Sequence, residues 1–204
     1  MKNIFIAATG KDVGKSTLSF ALLHMLLQKG KDTGFMKPVG QRWLDSPWGK
    51  VEEDVILMKD YFDFQEDPLL MNPVIIEKGF TERYLYKKIK PDLPEKVAEA
   101  WQKLSEDKEF VVIEGTGHGG VGSVIDSSNA KIAQKLDAPV VLIVDGGIGS
   151  AIDKLELNRT FYESHEVEVA GVIVNKVLQS KSEKVKKAIN AYCRKNNLIL
   201  FGLI

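Results

Sequence analysis

Apolar residues fall into two kinds of grouping along this chain. Some form short runs read as strands: Asn3–Ala8, Thr33–Pro38, Phe110–Glu114, Pro139–Val144, Val169–Val174 and the start of another at Leu198–Ile204. Pro139–Val144 and Val169–Val174 are almost continuously apolar and rich in β-branched residues, as strands covered on both faces are. Other apolar residues return with the helical period. In Lys15–Lys29 these are Leu18, Ala21, Leu22, Met25 and Leu26, and Gly30 stands just past the end as a stop. Glu52–Tyr61 and Leu93–Leu104 also read as helices, as does Asn129–Leu136 with Ser127 or Ser128 as N-cap. Ser182–Lys195 reads as a basic amphipathic helix.

Strands separated by helices predict βαβ units, hence an α/β fold with a mostly parallel sheet flanked by helices on both faces. Arg42–Asp92 breaks the alternation and carries Pro47, Pro68, Pro73 and Pro91. It reads as insertions around the open edge of a site, within one domain spanning residues 1–204. The last residues, Phe201-Gly202-Leu203-Ile204, fall inside or just after a strand, which reads as a piece of a longer protein.

Charge narrows the function classes. Lys plus Arg equals Asp plus Glu, 28 each, so a broad nucleic-acid or membrane-surface role has no electrostatic support. No apolar stretch reaches the roughly 18 residues a membrane helix needs. The single cysteine, Cys193, excludes an intrachain disulfide and a cysteine-rich metal site, and a reducing cytoplasm is the expected compartment. Cys193 and Trp101 read as packing residues, and Trp43 and Trp48 as loop anchors.

The strongest chemical signal is Thr9-Gly10-Lys11-Asp12-Val13-Gly14-Lys15-Ser16, followed by Thr17. It leaves a strand and opens a helix, the context in which a phosphate-binding P-loop works. Backbone N–H groups from Gly10 to Ser16 wrap phosphate oxygens, and the helix start adds its positive dipole end. Gly14 permits close backbone approach. Lys15 is placed for the β- and γ-phosphates and the Ser16 hydroxyl for Mg²⁺. The usual pattern opens with Gly, where this chain has Thr9.

Three further places converge on that loop if ligands bind at the carboxyl ends of the strands. Lys37, in Phe35-Met36-Lys37-Pro38-Val39-Gly40-Gln41, can meet a transferred phosphate or an anionic substrate. Glu114 ends its strand ahead of Gly115-Thr116-Gly117-His118-Gly119-Gly120 and fits Mg²⁺ ligation, directly or through water. His118 is either a substrate contact or a loop histidine. Asn175 can read a purine edge or simply turn the chain after its strand. A guanine-reading pattern would place Asp where Leu178 stands, so ATP is the preferred nucleotide. Asp54, by spacing alone, is an ordinary helix acid.

These motifs resemble the dethiobiotin synthetase family, within the P-loop group that includes cobyrinic acid a,c-diamide synthases and the MinD/ParA ATPases. The likeness covers nearly the whole chain. Thr9–Ser16 is similar to that family's loop lacking the first Gly, Lys37-Pro38-Val39 to its Lys-Pro-Val, Glu114-Gly115-Thr116-Gly117 to its Glu-Gly-Ala-Gly, and Ala170–Asn175 to its Ala-Gly-x-x-x-Asn. The resemblance implies that Ser16, Asp54 and Glu114 surround Mg²⁺, that Lys15 and Lys37 flank the transferred phosphate, and that Asn175 reads adenine. It also implies a homodimer and a small acid or amine as second substrate.

Departures point elsewhere in the group. Gly40-Gln41-Arg42 follows Lys-Pro-Val where dethiobiotin synthetases usually carry a substrate-binding Ser. Phe35–Gln41, Gly115–Val124 and Asp145–Asp153 look closer to the nucleotide-binding-like N-terminal domain of long phosphate acetyltransferases and its uncharacterised relatives. The signature lysine of the MinD/ParA group should occupy position 10, which is Gly10, with Lys11 one place late. Two functional readings stay open: an ATP-dependent ligase or ATPase that activates a carboxylate or carbamate, and a nucleotide-binding regulatory domain whose loops Gly115–Ser123 and Asp145–Asp153 respond to binding.

Overall fold

The apolar runs become the inner strands of one sheet. The computed structural model describes residues 2–204. Strand β1 (Lys2–Ala8) leads through the phosphate loop into α1 (Lys15–Gln28), and β2 (Thr33–Met36) follows. A run of small elements comes next: β3 (Val39–Gly40), the hairpin β4 (Trp43–Ser46) and β5 (Gly49–Glu52), α2 (Glu53–Phe62), α3 (Pro68–Met71), β6 (Val74–Ile75) and α4 (Phe80–Leu85). The regular alternation then resumes with α5 (Leu93–Ser105), β7 (Phe110–Glu114), α6 (Asn129–Lys135), β8 (Val140–Asp145), α7 (Gly149–Glu163), β9 (Val169–Asn175), α8 (Ser182–Lys195) and β10 (Ile199–Leu203).

The main sheet has six strands in the order β10-β9-β8-β1-β7-β2, and every pairing is parallel. Strand β1 lies between β7 and β8, so the loop after it opens at the carboxyl edge in the middle of the sheet, where the strand order changes direction. Helix α1 packs on β1, β2 and β7, α7 on β8 and β9, and α8 on β10. Strand β8 is buried from Val140 through Val144, and β7 from Val111 through Glu114. Burial on both faces is why these stretches carry no polar alternation.

Helices α5 and α6 begin at side-chain caps. Ser128, not Ser127, caps α6, its hydroxyl accepting from Lys131 N at 3.1 Å. Asp92 caps α5 through Glu95 N at 3.1 Å, with Pro94 in the first turn, where its missing N–H costs nothing. Helix α8 buries Val185, Ile189 and Cys193 and leaves its basic positions in solvent. Full burial of Val185 or Ile189 contributes about 2 kcal/mol each, so a charge at Ile189 would unseat the helix.

Two regions differ from the sequence expectation. The stretch expected as irregular insertions contains short elements and two small sheets, β3–β6 and β4–β5. Between the strands expected at 139–144 and 169–174 lies a helix, α7, that the apolar pattern does not announce. Its Leu157 is exposed and its Asn158 buried, an inversion that hides the period.

Candidate functional site

Thr9 continues the line of β1, its N–H donating to Ile143 O at 2.9 Å. The chain then curls through residues 10–14 and enters α1 at Lys15. Two positive backbone angles shape the curl, Asp12 at φ 54° and Gly14 at φ 106°. At Gly14 a side chain is excluded twice. The angle disfavours an L-residue, and a Cβ would stand 2.2 Å from Asn175 Nδ2. Asn175, at the end of β9, donates through Nδ2 to Val13 O at 2.8 Å, and its Oδ1 accepts from Lys176 N at 2.8 Å. Lys176 Nζ donates to Asp12 O at 2.6 Å. The loop is thus held by Asn175 at the end of β9 and by Lys176 just past it. Asn175 keeps one further donor hydrogen and acceptor lone pair beyond these bonds.

Lys15 lies along the loop and donates to Gly10 O at 3.3 Å. Burial pulls its pKa below the ordinary lysine value, against the attraction of Glu114. Thr9 and Val13 are buried supports of the loop, whereas Lys11, Asp12, Gly14, Lys15, Ser16 and Thr17 face a cleft of about 420 Å³.

Opposite Lys15 stands a cluster that draws on three parts of the chain. Lys37, just past β2, is only 5% exposed. Its ammonium meets Glu52 Oε1 at 3.0 Å, Asp54 Oδ2 in a hydrogen-bonded ion pair, and Glu114 Oε1 at 3.5 Å. Ser16 Oγ sits between two of these acids, 2.8 Å from Glu114 Oε1 and 3.2 Å from Asp54 Oδ2. Burial works against the Lys37 charge, but Glu114, Glu52 and the hydrogen bond with Asp54 outweigh it and raise its pKa. Glu114 is pushed up by burial, with Asp54 adding to the effect, more than Lys37 pulls it down. One ammonium cannot satisfy three carboxylates. Fully ionised, Glu52, Asp54 and Glu114 against Lys37 leave a local charge of three negatives minus one positive, two negatives in all.

That surplus, and one orphaned atom, test whether the donors fit a metal ion. Glu114 Oε2 is buried with no hydrogen bond among the described residues, although the Ser19 hydroxyl, also buried and unpaired, lies within reach of the carboxylate. A divalent cation would balance the charge and take that lone pair. No group of three His, Cys, Asp or Glu side chains spaced to hold a metal by themselves occurs among the described residues. Two carboxylates and a hydroxyl are what Mg²⁺ needs where substrate phosphates and water complete its shell. The residues therefore fit the ion that the resemblance implies.

The cleft brings together Lys15, Ser16, Lys37, Asp54, Glu114 and Asn175. His118 lies outside its lining, exposed, with Nδ1 accepting from Gly120 N at 3.2 Å. Sequence reasoning missed Glu52, which it placed inside a helix and which instead ends β5 just before α2. It also gave no role to Gln41, Arg42 and Thr116, which line the cleft, or to Lys176. The one local signal for Glu52 was a second acid two residues ahead of Asp54. Trp43 and Trp48 belong to the hairpin, with Lys50 Nζ 4.2 Å from the Trp43 ring centre and Lys59 Nζ 5.8 Å from that of Trp48.

A parallel sheet with a phosphate-loop cup at its central carboxyl edge defines the class, a P-loop NTPase fold. Within that class the chain belongs to the family described as AAA domain, whose model matches residues 2–204. Among curated relatives it is 25% identical to the ATP-dependent dethiobiotin synthetase of Methanococcus vannielii over 203 residues, covering 98% of this chain and 92% of that protein. It is 28% identical to a phosphate acetyltransferase of Pseudomonas aeruginosa over 181 residues, 87% of this chain but 25% of the relative. The MinD cell division protein of Aquifex aeolicus shares the fold, with a TM-score of 0.59 at 16% identity over the whole of this chain and 82% of MinD. The expected family and the α/β fold are thereby established. No helix among the described residues is long and apolar enough to cross a membrane.

Proposed function

We propose that this protein binds ATP with Mg²⁺ and transfers the terminal phosphoryl group to a small carboxylate or carbamate, which an amine then attacks. The observation that carries the reading is that Asp54 and Glu114 each meet both Ser16 of the phosphate loop and the buried Lys37. A pure binding module needs the cup. It does not need a buried lysine facing the same cleft from another strand.

The chain's own groups divide the work. The amides of residues 10–16 and Lys15 hold the phosphates. Ser16, Asp54 and Glu114 would hold Mg²⁺, which when bound neutralises phosphate charge. Lys37 faces the phosphate being transferred and stabilises charge on its oxygens, the main contribution a protein makes to phosphoryl transfer. The acceptor oxygen bonds to the terminal phosphorus as the bridging bond to ADP breaks. The amine then forms its bond to the carbonyl carbon, and inorganic phosphate leaves. Gln41, Arg42 and Thr116 line the cleft where the acceptor would stand.

The test is calorimetric binding of ATP with and without Mg²⁺, followed by phosphate release with a panel of small carboxylates, each with and without an amine. Mg²⁺-dependent binding and release stimulated by one acid class are expected. Replacing Lys15 by Ala is expected to weaken ATP binding about 100-fold through loss of charge-assisted contacts, with the fold retained. Tight binding with no release for any acid would favour the regulatory reading. Unchanged ATP affinity in the Lys15→Ala protein would remove the site assignment itself.

A further inference from the structure

Glu52 makes a set of contacts that no neighbour duplicates. It is 2% exposed, and each carboxylate oxygen meets a different donor. Oε1 takes the Lys37 ammonium at 3.0 Å, and Oε2 accepts from Arg42 N at 2.8 Å. Its own N–H donates to Asn72 Oδ1 at 2.9 Å, while Asn72 Nδ2 donates to Lys37 O at 2.7 Å. Glu53 N donates to Arg42 O at 2.9 Å, closing the root of the β4–β5 hairpin. Gly40 leaves the room this needs, since a Cβ there would lie 2.6 Å from Glu52 Oε2.

We propose that Glu52 is a positioning residue that locks Lys37 and the root of the β4–β5 hairpin into one unit, so that Lys37 stays aimed at the transferred phosphate while Asp54 and Glu114 serve the metal. The inference rests on the phosphate-facing role given to Lys37 above. Asp54 and Glu114 both contact Ser16 and Lys37, so a bound Mg²⁺ would compete with the lysine for them. Glu52 touches Lys37 but has no hydrogen bond with Ser16, and it remains as the lysine's counter-ion. A buried ammonium left without one would be strongly disfavoured.

A carboxylate is the group this position requires. Gln offers one acceptor oxygen and would turn its NH₂ toward either the ammonium or Arg42 N–H, both donors. Asp is one methylene too short to span the two. Arg42 lines the cleft, so the same residue links the hairpin to the acceptor's side of the site.

The experiment is a double-mutant cycle on nucleotide binding in the full chain with Mg²⁺, using Glu52→Gln, Lys37→Met and the pair. A non-hydrolysable ATP analogue and ADP are the probes. Glu52→Gln is expected to weaken the ATP analogue about tenfold, the size of one charged hydrogen bond, while ADP changes less than about twofold. In the Lys37→Met background the Glu52 substitution should add nothing. A loss equal for both nucleotides, or one that persists without Lys37, would overturn the positioning role. If Lys37→Met itself treats the two probes alike, the phosphate-facing role fails and this inference with it. If only Lys37→Met discriminates, the functional reading stands and Glu52 is cleared of the task.

Should Glu52→Gln not fold, Glu52→Leu and Glu52→Leu/Lys37→Met give a second route through denaturant unfolding. Lys37 also pairs with Asp54 and Glu114, so the pairing with Glu52 is read from additivity against Lys37→Met alone. The double variant should lose less stability than the sum of the two single losses, and strictly additive losses would refute the pairing.

Discussion

The inner sheet and the insertion between β3 and α4 are built on different principles. In the inner sheet, β1, β7 and β8 pair in parallel and their apolar side chains are buried on both faces. Any apolar residue of suitable size serves there, and the composition announces the element. The insertion has two-stranded sheets and short helices held by single polar ties. Glu52 bonds Arg42 and Lys37, and Asn72 bonds Glu52 and Lys37. The scaffold tolerates exchange, whereas the insertion depends on particular atoms, and the candidate site lies where the two meet.

The sharpest way to break that contrast is at Gly14, where the scaffold itself depends on one residue. Gly14→Val places side-chain atoms against Asn175 in a backbone conformation Val avoids. ATP binding should fall by more than about 100-fold, while strain removes only about 1–3 kcal/mol of stability. Calorimetry and denaturant unfolding on the same sample separate the two. Near-normal affinity would show that the cup tolerates a different backbone path.

Next is the insertion's central tie. Asn72→Ala leaves Glu52 N and Lys37 O without side-chain partners, both in buried surroundings. Two such losses should cost about 2–4 kcal/mol, seen as a lower denaturation midpoint. Loss of less than about 0.5 kcal/mol, the scale of an ordinary surface substitution, would mean the insertion is held by packing after all.

A smaller effect of opposite sign is expected inside the scaffold. The Tyr162 hydroxyl is buried without a hydrogen-bond partner, and burial alone raises its pKa far above that of an ordinary phenol. Tyr162→Phe removes a desolvated group and should be neutral or stabilising by about 1 kcal/mol. A clear loss in unfolding experiments would show that the hydroxyl has a bound partner in solution.

This difference also explains what the sequence revealed. The order of strands and helices from β7 onward, apart from α7, was legible because burial imposes a period or a continuous run. The phosphate loop was legible because its residues are contiguous. Helix α7 was not, since exposed Leu157 and buried Asn158 invert the expected face; Asn158 Oδ1 instead accepts from Gly119 N at 2.9 Å. Glu52 was not, because its partners lie 10 and 15 residues earlier in the chain, at Arg42 and Lys37, and no local pattern records such a tie. Asp54 was read as a helix acid by spacing, and only the resemblance brought it to the site.

The smallest effect tests how the insertion is fastened to the sheet. Lys108 Nζ lies 2.5 Å from Glu66, just before α3, and 2.9 Å from Asp32, just before β2. Burial works against its charge, but hydrogen bonds with Glu66 and Asp32 outweigh it and hold its pKa above the ordinary lysine value. A folded-state pKa raised above the unfolded one stabilises fully at pH below the unfolded value and is lost as pH rises through the folded one. Lys108→Met should therefore cost about 1 kcal/mol or less at neutral pH, because Asp32 and part of the clip are solvated. The gap between wild type and variant should narrow with added salt and close at alkaline pH, as Lys108 loses its proton. A gap unaffected by both salt and alkaline pH would assign the effect to the lysine's aliphatic stem packing against the insertion, and the fastening would then follow the rule of the scaffold.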